Sequence, residues 1–291
     1  MKELVIISGK GGTGKTSVVS SFASLAKNAV FADCDVDAAD LHLILEPEIK
    51  KRELFTGGKI AHIDSDKCTS CGICRDLCRF DAISEDFVVD EISCEGCGLC
   101  VWNCPVDAIA FEPTISGEWF ISETRYGPMV HAKLGIANEN SGKLVTLVRK
   151  EAKEIATKEN LDLILVDGPP GIGCPVIASI GGADMLLVVA EPSLSAIHDM
   201  KQVLDLARHF KVPATACVNK YDINPELTAS IESYCKEQSI PFLGKIPYDL
   251  QVTQAQMAGK STVEFADGKL KESLSSLWER VLETLTGGNQ S

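Results

Sequence analysis

Two groups of residues in this 291-residue chain have types and spacings suited to chemistry. Near its start, Gly9, Gly14, Lys15 and Thr16 fit G-x-x-x-x-G-K-[ST] within the stretch GKGGTGKTS, Gly9 to Ser17. In such a loop the glycines let backbone N–H groups approach phosphate oxygens. The lysine neutralises the β and γ oxygens, and the hydroxyl of Thr16 ligates Mg²⁺. Gly9, Lys10, Gly11, Gly12, Thr13, Gly14, Lys15, Thr16 and Ser17 are therefore the candidate phosphate cradle. The second group is cysteine. Of twelve, eight fall in two runs of C-x₂-C-x₂-C-x₃-C, Cys68, Cys71, Cys74 and Cys78, then Cys94, Cys97, Cys100 and Cys104. In a chain of this size that is not secreted, such spacing points to metal rather than disulfides.

The elements that must position these residues are short apolar runs followed by helical stretches, the pattern of an α/β domain with a mostly parallel sheet flanked by helices. Strands are expected near Lys2–Ser8, Ala29–Asp33, Asp162–Asp167, Met185–Val189, Ala214–Asn219 and Phe242–Ile246. The phosphate loop then sits between a strand and the helical run Ser17 to Lys27, the context it requires. Trp119 to Ala132, with Gly127-Pro128 inside, reads as a strand or hairpin, and Ser141 to Glu159 as a helix. The cysteine block is an internal repeat: CTSCGICRDLCRFDAI from Cys68 matches CEGCGLCVWNCPVDAI from Cys94 at an offset of 26 residues. It reads as an insertion over residues 57–112, between a first part, 1–56, and a second, 113–291, of the α/β domain.

The second lysine of the loop, Lys10, gives K-G-G-x-G-K-[ST], which resembles the deviant Walker A motif of the MinD/ParA/Mrp and nitrogenase iron protein superfamily. The resemblance covers nearly all of the chain outside the insertion. It implies a P-loop ATPase in which Lys10 reaches the nucleotide of a partner copy, hence a homodimer. A second cation at the γ-phosphate would stabilise transition-state charge as an arginine finger does. By the same resemblance FADCDVDAADLHL is switch I, with Asp35 orienting the attacking water and Asp33 in the Mg²⁺ shell. LILVDGPPGIG places Asp167 as the Walker B or switch II carboxylate. VNKYD supplies Asn219, Lys220 and Asp222 at the base, where an Asn implies adenine while N-K-x-D is also the guanine signature of GTPases. The segment IPYD, with Pro247, Tyr248 and Asp249, is expected to pack against the base.

The cysteine runs resemble those of bacterial ferredoxins, in which the fourth cysteine of each run ligates the other cluster. The resemblance implies an inserted small α+β domain with two [4Fe–4S] clusters, one on Cys68, Cys71, Cys74 and Cys104 and the other on Cys94, Cys97, Cys100 and Cys78. Zinc is the rival, but its tetrahedral sites use cysteine pairs rather than triplets. Arg79 stands where the ferredoxin pattern has proline.

Formal charge is −13, and residues 57–112 alone hold 11 acidic and 4 basic residues, net −7. This argues against nucleic acid as a partner and favours a redox or apo-metalloprotein client with a basic surface. No apolar run approaches the roughly 20 residues of a membrane span, and no signal peptide is evident, so a cytoplasmic location and no membrane partner are expected. Cys174 lies seven residues beyond Asp167, an offset that resembles the cluster-ligating cysteine of the nitrogenase iron protein. A shared site across a dimer axis competes there with a packed or sensing thiol. Cys34, Cys217 and Cys235 read as core thiols, and His42, His131 and His198 as structural. The run Leu270 to Leu285 has three basic residues balancing three acidic ones after Gly268, so its helix should pack on the core rather than seek a membrane.

Function is expected to be ATP binding and hydrolysis coupled to electron transfer, or to metallocofactor or iron–sulfur cluster assembly. A MinD/ParA-type positioning ATPase with structural clusters is the alternative. A cobyrinate amide synthetase is disfavoured, since no amidotransferase domain follows.

Overall fold

The computed structural model describes residues 1–135 and 141–287. Its strands are β1 (Lys2–Ile7), β2 (Ala29–Asp33), β3 (Glu48–Ile63), β4 (Ile109–Thr124), β5 (Gly127–Leu134), β6 (Leu163–Asp167), β7 (Met185–Ala190), β8 (Ala214–Asn219) and β9 (Phe242–Ile246). They form one sheet in the order β3-β4-β5-β2-β6-β1-β7-β8-β9. From β5 to β9 in that order the neighbours are parallel, while β3, β4 and β5 pair antiparallel. The sheet is mostly parallel and flanked by helices, as the alternation of apolar strands and helices implies.

The central strands are apolar on both faces because both are covered. On β1, Val5 and Ile7 enter one core and Leu4 and Ile6 the other. The first core takes Leu144, Val145, Val148, Ala152 and Ala156, one stripe of the helix Ser141–Glu159. The second takes Val18, Val19 and Phe22 of the helix Lys15–Leu25, with Phe22 packed 4.9 Å from Trp278. Each such side chain, fully buried, contributes about 1.5–3 kcal/mol. Trp278 belongs to the helix Gly268–Gly287, whose Leu270, Leu274, Leu277, Val281 and Leu285 are also buried. The tail helix therefore packs on the core.

Strands β3 and β4 run as a ribbon through positions 57 and 112, paired from Glu48↔Glu123 to Ile63↔Ile109. Register shifts flank Thr56, so the irregular stretch of the ribbon lies beside Gly57. Beyond Ile63 the chain builds a core of its own from Ala61, Cys74, Ile83 and Ile109, ringed by Phe87, Val89 and other cysteines. The sequence repeat is a backbone repeat as well. Ser70 and Gly96, Gly72 and Gly98, Asp81 and Asp107 stand 26 residues apart in pairs, and all six have left-handed φ. Gly72 and Gly98 each open a short helix, Ile73–Leu77 and Leu99–Trp102, between the second and last cysteines of their runs.

Candidate functional site

Parallel strands deliver their carboxyl ends to one edge of the sheet, where loops after β1, β2, β6, β8 and β9 surround a cavity of about 450 Å³. Gly11, Gly12, Thr13, Gly14, Lys15, Thr16 and Ser17 form its floor. Gly14 has φ 87° and lies against the Asn219 amide, 2.2 Å from where a Cβ would stand, so only glycine fits. Asp35, Asn219, Lys220, Pro247, Tyr248 and Asp249 also line the cavity.

The remaining residues expected at this site lie behind it rather than on its wall. Gly9 is pressed against the helix Leu194–His209, with Asp199 Cβ only 2.3 Å from where its own Cβ would be. Lys10 turns away to Glu191 Oε1 at 2.9 Å and to the hydroxyls of Ser193 and Ser195. Asp33 and Asp167 are buried beneath Lys15. Asp222 accepts from Tyr248 N at 2.7 Å and so braces the loop that carries Tyr248.

Lys15 is itself buried and its ammonium pairs with Asp167 and, at 3.4 Å, with Asp35. Burial alone would lower its pKa, but Asp167, Asp35 and Asp33 overcome it and leave the ammonium above the ordinary lysine value. Burial, and then the charge of Asp167, push Asp33 well above the usual carboxylate range. Burial raises Asp35 too, against the pull of Lys15. Three carboxylates thus share one cation. Asp33 Oδ1 accepts from Asp35 N at 3.2 Å, while among the described residues Asp33 Oδ2 and Thr13 Oγ1 are buried without a partner. Buried orphans of this kind, an acceptor and a hydroxyl beside a phosphate-type loop, fit a hydrated Mg²⁺ and phosphate oxygens.

The loop is braced by side chains the motif does not contain. Asn219 Nδ2 donates to Thr13 O at 2.8 Å, and Lys220 Nζ donates to Gly12 O at 2.9 Å and pairs with Glu191 Oε2 at 3.1 Å. Glu191 therefore bridges Lys10 and Lys220. Asp40, Pro170, Val252, Thr253 and Gln256 line the cavity as well, and Gln256 donates to Ser17 Oγ at 3.1 Å. Asp40 and Pro170 lie within the stretches read as switch I and switch II without a role assigned there, and Val252, Thr253 and Gln256 carry no sequence signal, since they arrive from a helix distant in the chain.

The eight cysteines line two further cavities. Cys68, Cys71, Cys74 and Cys104 surround one, and Cys78, Cys94, Cys97 and Cys100 the other. Each set thus takes three residues from one run and the fourth from the other. Apolar side chains complete the walls: Ile63, Phe87 and Ile109 in the first, Ala61, Ile83 and Phe111 in the second. Ser70 N donates to Cys68 Sγ at 3.4 Å and Ala108 N to Cys104 Sγ at 3.2 Å, contacts that favour a thiolate. Among the described residues no group of three or more His, Cys, Asp or Glu is gathered closely enough for a single metal ion. Four cysteines to a cavity, three from one run and one from the other, is the sorting that two [4Fe–4S] groups would use.

Cys174 is exposed and lines neither cysteine cavity; it opens the helix Cys174–Ile180 beside Gly142. Cys34, Cys217 and Cys235 are buried. His131 is buried, stacked on Phe120 at 4.9 Å and His42 at 6.0 Å, and shares a hydrogen bond of 2.9 Å with Ser122. His198 lies exposed within the helix Leu194–His209. No described helix is long and apolar enough to cross a membrane.

Comparison with known proteins bears on the fold and the family. The chain is 35% identical over 287 residues to the uncharacterized protein MJ0578 of Methanocaldococcus jannaschii, covering 97% of this chain and 96% of that one. It is 27% identical over 158 residues to the iron–sulfur cluster carrier protein of Pyrococcus horikoshii, covering 50% of this chain and 53% of that protein. It thus matches about half the length of that carrier. In fold it is similar to the septum site-determining protein MinD of Pyrococcus horikoshii, solved as a complex with Mg-ADP. There the TM-score is 0.60 at 17% identity, over 100% of this chain and 99% of that one. The profile of the CobQ/CobB/MinD/ParA nucleotide binding domain matches residues 4–263. The chain belongs to that family, the P-loop ATPases of the MinD and ParA type.

Proposed function

We propose that the protein is a homodimeric ATPase that couples its nucleotide state to electron transfer through two [4Fe–4S] clusters held by residues 57–112. The observation that carries this reading is the crossed sorting of the eight cysteines into two four-sulfur cavities at the end of a ribbon whose base follows switch I. Only the short helix Leu41–Leu45 separates the Asp35 loop from β3.

In this reading ATP binds along the loop Gly9–Ser17, and Lys15 leaves Asp167 and Asp35 for the β and γ phosphates. Asp35, once released, orients the attacking water. Asp33 and Asp167 serve the shell of Mg²⁺ together with Thr16. Asn219, Pro247, Tyr248 and Asp249 receive the base. Asp222 holds the Tyr248 backbone rather than facing the cavity, which favours adenine over guanine. Lys10 supplies its charge to a partner copy's nucleotide. When bound, the clusters supply one-electron chemistry; the protein's own part is to enclose them in apolar walls and to aim N–H groups at Cys68 and Cys104.

A second reading, delivery of clusters to apo-proteins, is favoured by the likeness to a protein named as an iron–sulfur cluster carrier. Four protein ligands on each cluster favour retention over delivery.

The test is anaerobic reconstitution followed by EPR-monitored redox titration with and without MgATP. Cys68→Ala and Cys104→Ala should each halve the iron and abolish the same signal, the double variant losing no more than either single. Cys104→Ala combined with Cys78→Ala should lose both signals. Zinc in place of iron, or a shared signal for Cys104 and Cys94, would overturn the assignment. A potential that moves with MgATP supports electron transfer, whereas iron passing to an apo-acceptor supports delivery.

A further inference from the structure

The two cysteine cavities are not equivalent in position. Ala61 and its partner Phe111 wall the cavity of Cys78, Cys94, Cys97 and Cys100. Ile63 and its partner Ile109 wall that of Cys68, Cys71, Cys74 and Cys104. Because β3 leaves the main sheet towards Ile63, the first is proximal to the nucleotide site and the second distal, by two residues of ribbon or about 7 Å. The proximal site is also covered by backbone, since Gly96 lies against the carbonyl of Lys59.

The distal site opens differently. A groove of about 450 Å³ shares Ile63, Cys68 and Phe87 with the distal cavity, so whatever occupies the groove lies against the Cys68 ligand position. Val88, 64% exposed, and Val89, which also lines the proximal cavity, add apolar surface to it, but no cysteine of the proximal cavity lines the groove. His62, Ser65, Ser70, Asp86 and Glu91 complete it, with no lysine or arginine in the lining. Among the described residues neither carboxylate makes an ion pair, whereas nearby Lys67 pairs with Asp64 and Arg75 with Glu85. Unpaired carboxylates around an apolar centre attract a cationic surface at long range and give it something to bury on arrival.

We propose that this groove is the docking port for a protein partner presenting lysine or arginine side chains around an apolar contact, and that the distal site is the one that exchanges electrons with it. The proposal rests on the cluster reading above. One electron leaves a reduced cluster and enters the partner's acceptor, with no proton or bond change on this chain. The proximal site then lies between the port and the ATPase sheet.

Mitochondrial cytochrome c, a basic haem protein, serves as the probe. Photoreduced protein passes one electron to ferricytochrome c, giving the ferrous form and an oxidised cluster. Asp86→Lys and Glu91→Lys should each lower the second-order rate about tenfold at low ionic strength and flatten its salt dependence. Glu112→Lys, exposed on the ribbon and lining neither the groove nor either cysteine cavity, should change it less than twofold. Carbodiimide cross-linking mapped by mass spectrometry gives a readout that needs no electron transfer, and should join Asp86 or Glu91 to probe lysines. Equal losses for Glu112→Lys, or cross-links concentrated at Glu112, would overturn the port. Failure of the protein to bind iron would instead overturn the cluster reading while leaving the cross-link map to judge the groove.

Discussion

Lys10 Nζ and Glu191 Oε1 stand 2.9 Å apart within one chain, so the lysine that distinguishes this phosphate loop is held in cis. For Lys10 to reach a partner copy's nucleotide, this pair must break. At its partial exposure it is worth about 1 kcal/mol. Glu191→Gln should therefore tighten MgATP-dependent dimerisation roughly fivefold. Sedimentation velocity across a concentration series checks this, and weaker association in the variant would mean that Glu191 presents Lys10 instead of restraining it.

Among the described residues Lys15 is the sole cation buried among Asp33, Asp35 and Asp167. Removing one member of a buried pair strands the other, so Lys15→Met should cost about 3–5 kcal/mol of stability, apart from any effect on catalysis. Adding Asp167→Asn should recover part of the loss. Urea denaturation of the two singles and the double measures the coupling; additive losses would refute it.

Asp222→Ala removes the acceptor for Tyr248 N without touching the cavity wall. A lost hydrogen bond of about 1 kcal/mol should raise KM for ATP roughly fivefold, with kcat little changed. The preference for ATP over GTP should persist. Steady-state kinetics with both nucleotides would expose a direct role in reading guanine as a loss confined to GTP.

His131 offers a pH signature away from the site. Burial first, then the neighbouring His42, lower its pKa to about 4. In the unfolded chain a histidine takes up its proton near pH 6.5, so the folded state loses ground as pH falls from there towards 4. By pH 5 this amounts to about 2 kcal/mol. Asp33, raised by burial, acts in the opposite sense, so the comparison is between proteins: His131→Gln should abolish the extra loss in urea titrations at pH 5 and 7. An unchanged difference would show that His131 does not titrate this way.

Much of the parallel sheet was legible because Leu4–Ile7, Leu163–Val166 and Leu186–Val189 are continuous apolar runs bounded by turn residues, as strands buried on both faces must be. Strand β3 was not. Its stretch from Glu48 to Glu53 is exposed and charged, and it is held as a strand by pairing with β4 rather than by burial. The same limit applied at the nucleotide cavity. A contiguous motif announced Lys15 and Thr16, but the bridge from Glu191 to Lys10 and Lys220 exists only once three separate loops meet at the edge of the sheet. Asp222 showed the converse difficulty: its spacing was visible, yet N-K-x-D could not say whether the carboxylate faced the base or the backbone of Tyr248.

The ribbon has one more implication. Ile63 and Ile109 are directly paired, so the segment between them departs from and returns to neighbouring points, as a side branch does from a stem. A unit joined this way leaves the host's strand order indifferent to what it contains, since a tight turn after Ile63 would close the same hairpin. The cysteine segment thus joins the sheet at two neighbouring residues, so a longer or shorter segment between Ile63 and Ile109 would leave the strand order as it is.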